Sequence, residues 1–232
     1  MKHFYSLSKF PGKTGETNYG TFFSLKDLQY TYTALKCEDI ISGMGIVKLV
    51  KPNGVSISMP FKTSVIPLLA DVDPLVSEFN SCNTIVLIDG EYIGYNTDYY
   101  GVLDAVESFP NTEHVSILGN GSIGSMFKKM LGDRATVYSR SLGNWKDRQS
   151  ITGIVINCTS FGTAVPDSPF QTLPKVSRVI DLAIAPNDLK KQCQTCDIKY
   201  VAGIEFYRQQ FRKQFELYTG IPLTQEEVDN NI

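Results

Sequence analysis

The sequence predicts an α/β protein with a central, mostly parallel sheet. Three observations carry that prediction. Short apolar runs alternate with stretches of helical spacing along the 232 residues, the pattern of βα units. The segment Gly119–Gly124 puts three glycines between one apolar run and one helical stretch. The composition, 42% hydrophobic and 20% charged, supports a buried core and argues against a disordered chain.

The elements follow in order. His3–Leu7 reads as a strand, Gly20–Leu28 as a helix and Tyr30–Lys36 as a strand of alternating aromatic and β-branched residues. Val55–Met59 is a short strand stopped by Pro60, and Lys62–Leu69 has helical spacing. Thr84–Ile88 and Glu91–Tyr95 flank Asp89-Gly90, a pair suited to the positive φ angles of a tight hairpin. Asp98–Ser108 reads as a helix, broken by Phe109-Pro110-Asn111-Thr112. A fresh βαβ pattern then runs through His114–Leu118, Ser122–Leu131 and Ala135–Ser139. Further strands are expected at Ile154–Asn157, Arg178–Leu182 and Lys199–Ala202. A long helix at Ile204–Thr219 ends at Gly220-Ile221-Pro222, a helix-stop signal. The chain is expected to divide into a first domain at 1–109, a second at 110–203 and terminal helices at 204–232 that pack back on the first.

Charge and cysteine usage narrow the classes. Lys and Arg number 22 against 24 Asp and Glu, a net charge of −2 with no basic block, so no nucleic-acid partner is expected. No apolar run approaches the roughly 18–20 residues that span a bilayer, so no membrane partner is expected either. The start, Met1-Lys2-His3-Phe4, lacks the apolar stretch of a signal peptide. Five cysteines without paired spacing fit a reducing, cytoplasmic compartment. Cys193 and Cys196 form a lone C-x-x-C beside only two histidines, His3 and His114. No metal site is expected.

Gly119-Asn120-Gly121-Ser122-Ile123-Gly124 matches G-x-G-x-x-G between a strand and a helix, the context a dinucleotide site requires. A helix N-terminus there offers amides and a positive dipole end to a pyrophosphate. A glycine-rich turn in a nucleotide-free domain is the alternative. The next strand ends in Ser139-Arg140-Ser141. An NAD site places an acidic residue near this position, whereas an arginine between hydroxyls suits a 2′-phosphate. The expected cofactor is therefore NADP. Lys62 lies just past a strand end, and Asp98 stands at a strand-to-helix junction. Together they could supply the proton that carbonyl reduction needs. A surface lysine and a helix-capping aspartate are the plainer readings of the same residues.

These motifs, in this order, resemble the shikimate dehydrogenase family over about Phe4 to Gly220. Ser58-Met59-Pro60-Phe61-Lys62 is similar to the family's T-V-P-F-K, which places Lys62 on its catalytic lysine and Ser58 on a substrate-contacting threonine. Cys82-Asn83-Thr84-Ile85 resembles V-N-T-L, with Asn83 on a substrate-binding asparagine. Asn96-Thr97-Asp98 with Gly101 matches N-T-D-x-x-G, with Asp98 on the second catalytic residue. Gly119–Gly124 stands at the family's glycine loop, and Ser139-Arg140-Ser141 resembles its N-R-T. Asn157–Gly162 resembles N-A-T-S-x-G and contributes Thr159 to the cofactor site. Gln209–Gly220 resembles the last family motif, which puts Gln210 on a substrate-binding glutamine and Gly203 near the nicotinamide.

The sequence also departs from the family. Where H-S-x-S-P binds the substrate carboxylate, this chain has Gly12-Lys13-Thr14-Gly15-Glu16-Thr17-Asn18. Thr14 stands for the first serine. The second falls on Glu16, or on Thr17 with the register moved by one, and a glutamate there would repel an acid. Ile184 replaces a substrate-contacting tyrosine. The stretch between Arg140 and Asn157 is short, and a helix is expected to be missing there.

The resemblance implies an N-terminal α/β substrate-binding domain and a C-terminal Rossmann-like NADP-binding domain. It implies an NADP-dependent oxidoreductase acting on a small cyclic hydroxy acid, with 3-dehydroshikimate to shikimate as the family reaction. Lys62 and Asp98 would be catalytic. Thr14, Thr17, Ser58, Asn83 and Gln210 would bind substrate. Gly119, Asn120, Gly121, Ser122, Ile123, Gly124, Ser139, Arg140, Ser141, Thr159 and Gly203 would bind the cofactor. The alternatives are a non-catalytic ligand-binding module of the same fold, or a dehydrogenase for quinate or an aminoshikimate. A monomer or homodimer is expected.

Overall fold

The computed structural model describes residues 1–161, 167–184 and 187–232. Gly162, the last residue of the Asn157–Gly162 motif, lies outside them. The chain forms two compact units, one of Met1–Thr97 with Gln210–Ile232 and the other of Asp98–Gln209. Among the described residues no helix is long and apolar enough to cross a membrane.

The first unit begins with β1 (Lys2–Ser8), α1 (Thr14–Leu25), β2 (Tyr30–Lys36), α2 (Ile40–Val50) and β3 (Gly54–Ile57). It continues through β4 (Asp71–Val72), α3 (Pro74–Phe79), β5 (Thr84–Ile88) and β6 (Glu91–Tyr95). The six strands lie in the order β2-β1-β3-β5-β6-β4. β1 pairs parallel with β2 and β3, while β3, β5 and β6 pair antiparallel. The β5–β6 hairpin turns as its dipeptide requires, with positive φ at Asp89 and Gly90. One core cluster joins Leu7, Val55 and Ile57 of the sheet to Met44 and Val47 of α2.

The second unit contains α4 (Asp98–Glu107), β7 (Val115–Leu118), α5 (Ser122–Leu131), β8 (Ala135–Tyr138) and β9 (Gly153–Asn157). β10 (Val176–Asp181), α6 (Asp188–Thr195), β11 (Lys199–Ala202) and α7 (Gly203–Thr219) follow, and α8 (Gln225–Asn231) ends the chain. The strand order is β11-β10-β9-β7-β8, with every pair parallel. The order reverses beside β7, the point where open parallel sheets bind ligands outside their carboxyl ends. α4 lies close to the start of α7, because a Cβ on Gly101 would come within 2.7 Å of the Phe206 ring.

The division after Gln209 cuts through α7, whose residues from Gln210 onward belong to the first unit. That half packs on β3, where a Cβ on Gly54 would come within 2.6 Å of the Tyr218 ring. Tyr218 also stacks on Phe4 of β1, with centroids 4.7 Å apart.

Three expectations need correction. The first helix starts at Thr14 rather than Gly20 and stops at Leu25. Thr14, Gly15, Glu16, Thr17 and Asn18 of the altered motif form its first turns. The stretch Lys62–Leu69 is not a helix and holds only a 3₁₀ turn at Ile66–Leu68, since Pro67 lacks a backbone donor. Helix α2 has no counterpart among the expected elements. Its start is set by Asp39, whose carboxylate accepts from the Ser42 amide at 2.8 Å. Between Arg140 and Asn157 the chain forms a short 3₁₀ turn at Trp145–Ser150, so the helix expected to be missing is replaced by that turn.

Candidate active site

In the first unit, strand register gathers the predicted substrate residues at one end of the sheet. Leu7 of β1 faces Ile57 of β3, and the Ser58 amide donates to Leu7 O at 3.0 Å. The Ile57 amide donates to Asn83 O at 2.8 Å, and the Asn83 amide to Tyr95 O at 3.2 Å. The Cys82 amide donates to Lys62 O at 2.8 Å, which pins the lysine's backbone one residue from Asn83. Ser8, Ser58, Lys62, Asn83 and Asn96 therefore share the carboxyl ends of β1 and β3. Ser58 is exposed and Lys62 half-buried.

Asn83 is 3% exposed and held from several sides. Its carbonyl oxygen accepts from the Thr97 amide at 2.8 Å and from the Thr84 hydroxyl at 2.9 Å. Its NH2 group donates to Thr97 Oγ1 at 2.9 Å and to Gln210 Oε1 at 3.3 Å. The two amides predicted to bind substrate are thus hydrogen-bonded to each other.

One helical turn beyond Gln210, Gln214 forms a second layer. It donates to Thr84 Oγ1 at 2.7 Å and accepts from the Tyr19 hydroxyl at 2.9 Å. Gln214→Leu deletes these bonds and takes the Gln214 acceptor away from the buried Tyr19 hydroxyl. It is expected to destabilise the protein by about 1–3 kcal/mol. The urea midpoint of unfolding, at unchanged m-value, is the check.

Two buried polar groups at this sheet end have no hydrogen-bond partner among the described residues: the Ser8 hydroxyl and the whole Asn96 side-chain amide. Such groups suit a ligand rich in hydroxyls, which can satisfy them.

Thr14 and Thr17 are exposed on the first turn of α1, which starts a short loop beyond the end of β1. The Glu16 carboxylate is engaged within the fold: its Oε1 accepts from the Ala34 amide of the edge strand β2 at 2.8 Å. Ile184 is exposed.

In the second unit, Asp98 is the first residue of α4 and is buried, 4% exposed. The remaining predicted residues sit at the carboxyl ends of the parallel strands. The glycine loop turns at Gly119, whose φ is +102°. A Cβ on Gly124 would lie 2.2 Å from Gly119 O, so this position requires glycine for α5 to meet the turn. Gly121 caps α5 in extended conformation without a side-chain cap. The first amides of that ten-residue helix are therefore directed at whatever occupies the loop.

A cavity of about 290 Å³ opens beside it, lined by Gly119, Asn120, Arg140, Trp145, Thr159 and Phe161 among others. The loop after β8 is tied to itself: Ser139 Oγ lies 2.9 Å from Ser141 Oγ, and the Ser139 amide donates to Asn144 Oδ1 at 3.0 Å. Arg140 is exposed, and among the described residues no carboxylate pairs with it.

Thr159 is held by Asn157 at 2.6 Å, and Asn157 in turn donates to the buried Asp181 at 2.9 Å. The Tyr200 hydroxyl also donates to Asp181, and burial beside that carboxylate pushes the phenol well above its ordinary pKa. Gly203 fits closely, since a Cβ there would lie 2.4 Å from Leu182 O. Among the described residues no group of three or more His, Cys, Asp or Glu could hold a metal. Cys193 is buried in the core, which pushes its thiol up to about 12.

A family model for the shikimate dehydrogenase substrate binding domain matches residues 17–85. The shikimate dehydrogenase (NADP(+)) of Thermoplasma acidophilum is 30% identical over 190 residues, covering 72% of this chain and 70% of that protein. The chain belongs to the shikimate dehydrogenase family. A shikimate dehydrogenase-like protein of Haemophilus influenzae is 24% identical over 241 aligned positions, covering 92% of this chain and 89% of that protein. Among solved structures, the Thermus thermophilus shikimate 5-dehydrogenase in complex with NADP(H) and shikimate superposes with a TM-score of 0.79 at 20% identity, over 100% of this chain and 98% of that one. A shikimate 5-dehydrogenase-like protein superposes with a TM-score of 0.82 at 23% identity, over 99% and 96%. The two-domain α/β fold expected from sequence is thus the shikimate dehydrogenase fold.

The motifs name candidate residues but not the side chains that support them. Thr84 and Thr97 lie within the motifs but were given no role there, and Gln214 and Tyr19 gave no local signal, because their bond joins positions 195 residues apart. Asn144 was equally silent, a loop residue whose NH2 group donates back to Val137 O at 2.8 Å.

Proposed function

We propose that this protein is an NADP-dependent dehydrogenase that interconverts the ring ketone and alcohol of a shikimate-like cyclic hydroxy acid, with 3-dehydroshikimate and shikimate as the pair. The observation that carries the reading is the register that sets Ser58, Lys62, Asn83 and Gln210 around one end of the first sheet. The first unit is assigned the substrate and the second the cofactor.

The second unit fits NADP. The tight Gly119–Gly124 contact leaves a side-chain-free cradle at the open amides of α5. Arg140 stands on the same cavity as a cation for the 2′-phosphate. When bound, the nicotinamide supplies or accepts the hydride. Lys62 holds the proton that passes to the ketone oxygen as it becomes a hydroxyl. Asp98 takes the second catalytic role that the family motif gives it and accepts from a neighbouring ring hydroxyl. Asn83, preset by Thr97 and Thr84, and Gln210 orient the ring hydroxyls. Thr14, Thr17 and Ser58 hold the carboxylate, and Thr159 and Gly203 border the cofactor.

The direct test follows NADPH absorbance with 3-dehydroshikimate and NADP reduction with shikimate, alongside quinate and an aminoshikimate. Consumption with shikimate as the best substrate is expected. A better rate with quinate or an aminoshikimate would move the substrate assignment, and no turnover with any of them would leave a non-catalytic module.

The glycine cradle gives a separate expectation. Gly124→Ala forces α5 away from Gly119 O and displaces its amides. NADPH affinity is expected to fall between about tenfold and a hundredfold, the range for small misplacements of binding groups. Calorimetric titration with NADPH measures it, and an unchanged Kd would remove the pyrophosphate from this loop.

A further inference from the structure

The second unit carries an aromatic pair that the family motifs do not use. Trp145, the chain's only tryptophan, opens the 3₁₀ turn Trp145–Ser150 just beyond the Ser139-Arg140-Ser141 loop. Its ring runs parallel to that of Phe161, with planes 10° apart and centroids separated by 6.2 Å. Both rings line the cavity that also holds Gly119 and Arg140. Two aromatic rings of common orientation on one wall define the plane in which a third flat ring packs.

The indole is also fixed. The Arg148 guanidinium sits 4.1 Å from its ring centre and donates to Trp145 O at 2.6 Å and to Pro169 O at 2.7 Å. A cation over the ring and two hydrogen bonds to carbonyls hold Arg148, and with it the indole, in one place. Asn144, immediately before Trp145, is tied to both Ser139 and Val137. The platform and the Arg140 loop are therefore parts of one braced segment. Burial, with the charge of Arg140 nearby, also pulls the Arg148 pKa below its usual value, which places two cations on this side of the cavity.

The order of chemistry along the cavity is then open amides at α5, an arginine at the end of β8, and a parallel aromatic pair beyond it. In NADP the pyrophosphate and the 2′-phosphate are joined through the adenosine ribose, which carries the adenine. We propose that Trp145, braced by Arg148 and accompanied by Phe161, is the surface on which the adenine ring of NADP stacks. This rests on the cofactor reading given above. It assigns to this chain's own 3₁₀ turn a role in nucleotide binding.

The sole tryptophan makes the proposal directly readable. Adenosine 2′,5′-bisphosphate carries the adenine and the 2′-phosphate but no nicotinamide. Titrated into the full chain, it is expected to quench indole emission saturably, as NADP does, whereas nicotinamide mononucleotide leaves emission unchanged. Trp145→Ala is expected to raise the Kd for the bisphosphate about tenfold by calorimetry, the scale of one lost base–aromatic stack. Trp145→Phe, which keeps a ring, is expected to restore most of it. Binding of the bisphosphate without quenching, or a wild-type Kd in Trp145→Ala, overturns the proposal and leaves the dehydrogenase reading standing. If neither NADP nor the bisphosphate binds the wild-type protein, the cofactor reading fails first and the proposal falls with it. Should Trp145→Ala fail to fold, quenching of the wild-type protein decides alone.

Discussion

Lys62→Ala is expected to lower kcat by about a thousandfold, within the range for loss of a positioned proton donor, while the Kd for NADPH stays near the wild-type value. Lys62 O accepts the Cys82 amide, so the residue's backbone is fixed beside Asn83 whatever its side chain. Truncation removes an ammonium from the sheet end without disturbing that bond. NADPH is assigned to the other compact unit, so its affinity is a control for misfolding. Lys62→Arg sharpens the test. A guanidinium keeps the positive charge but does not release its proton near neutral pH. If the lysine acted only by attracting the substrate, arginine would rescue most of kcat. If it donates a proton, Lys62→Arg stays close to Lys62→Ala. Asp98→Asn is expected to be impaired too, and the double variant should lose far less than the product of the single losses, because the two act as one unit. Wild-type turnover by Lys62→Ala would end the catalytic assignment.

The legible parts of the fold were those whose signals are local. Tyr30–Lys36, Ser122–Leu131 and Lys199–Ala202 coincide with β2, α5 and β11, because each is bounded by turn residues and keeps one periodicity throughout. The Asp89-Gly90 hairpin was equally plain. Helix α2 shows the opposite case. Its sequence, Ile40-Ile41-Ser42-Gly43-Met44-Gly45-Ile46-Val47-Lys48-Leu49-Val50, carries two glycines and five β-branched apolar residues, a composition poor in helix propensity. Tertiary packing overrides it, since Gly43 faces Leu7 and Cys37 so closely that a Cβ would come within 3.1 Å of the Leu7 side chain. The site divides in the same way. Lys62, Asn83 and the glycine loop sit in short motifs. The layer that orients Asn83 depends on Gln214 meeting Thr84 across 130 positions, and such pairing leaves no trace in a single sequence. Glu16 is instructive as well. In the linear motif it looks hostile to an acidic substrate, and only the fold shows its carboxylate accepting from the Ala34 amide of the edge strand β2.

Arg140→Ala is expected to raise the KM for NADPH by about ten- to a hundredfold, the scale of losing charge-assisted hydrogen bonds to a phosphate, and to leave kcat/KM for NADH nearly unchanged. The prediction turns on what each cofactor offers the loop after β8. NADPH brings a dianionic phosphate on the adenosine ribose and NADH a neutral hydroxyl, so only the first gains from an exposed guanidinium. The loop is already rigid, with Ser139 bonded to Ser141 and Asn144, so little ordering cost is left for binding. Arg140 is exposed, and its contribution should weaken as salt rises, which gives a second readout independent of the substitution. Arg140→Asp goes further, since a carboxylate repels the phosphate yet accepts from a ribose hydroxyl, the arrangement of NAD sites. Its preference should reverse toward NADH. Arg148, close enough to feel the charge of Arg140, keeps a residual preference for NADPH in Arg140→Ala. Adding Arg148→Ala should remove what remains. The measured quantity is the ratio of kcat/KM for NADPH to that for NADH, and a ratio within twofold of wild type in Arg140→Ala would take the 2′-phosphate away from this loop.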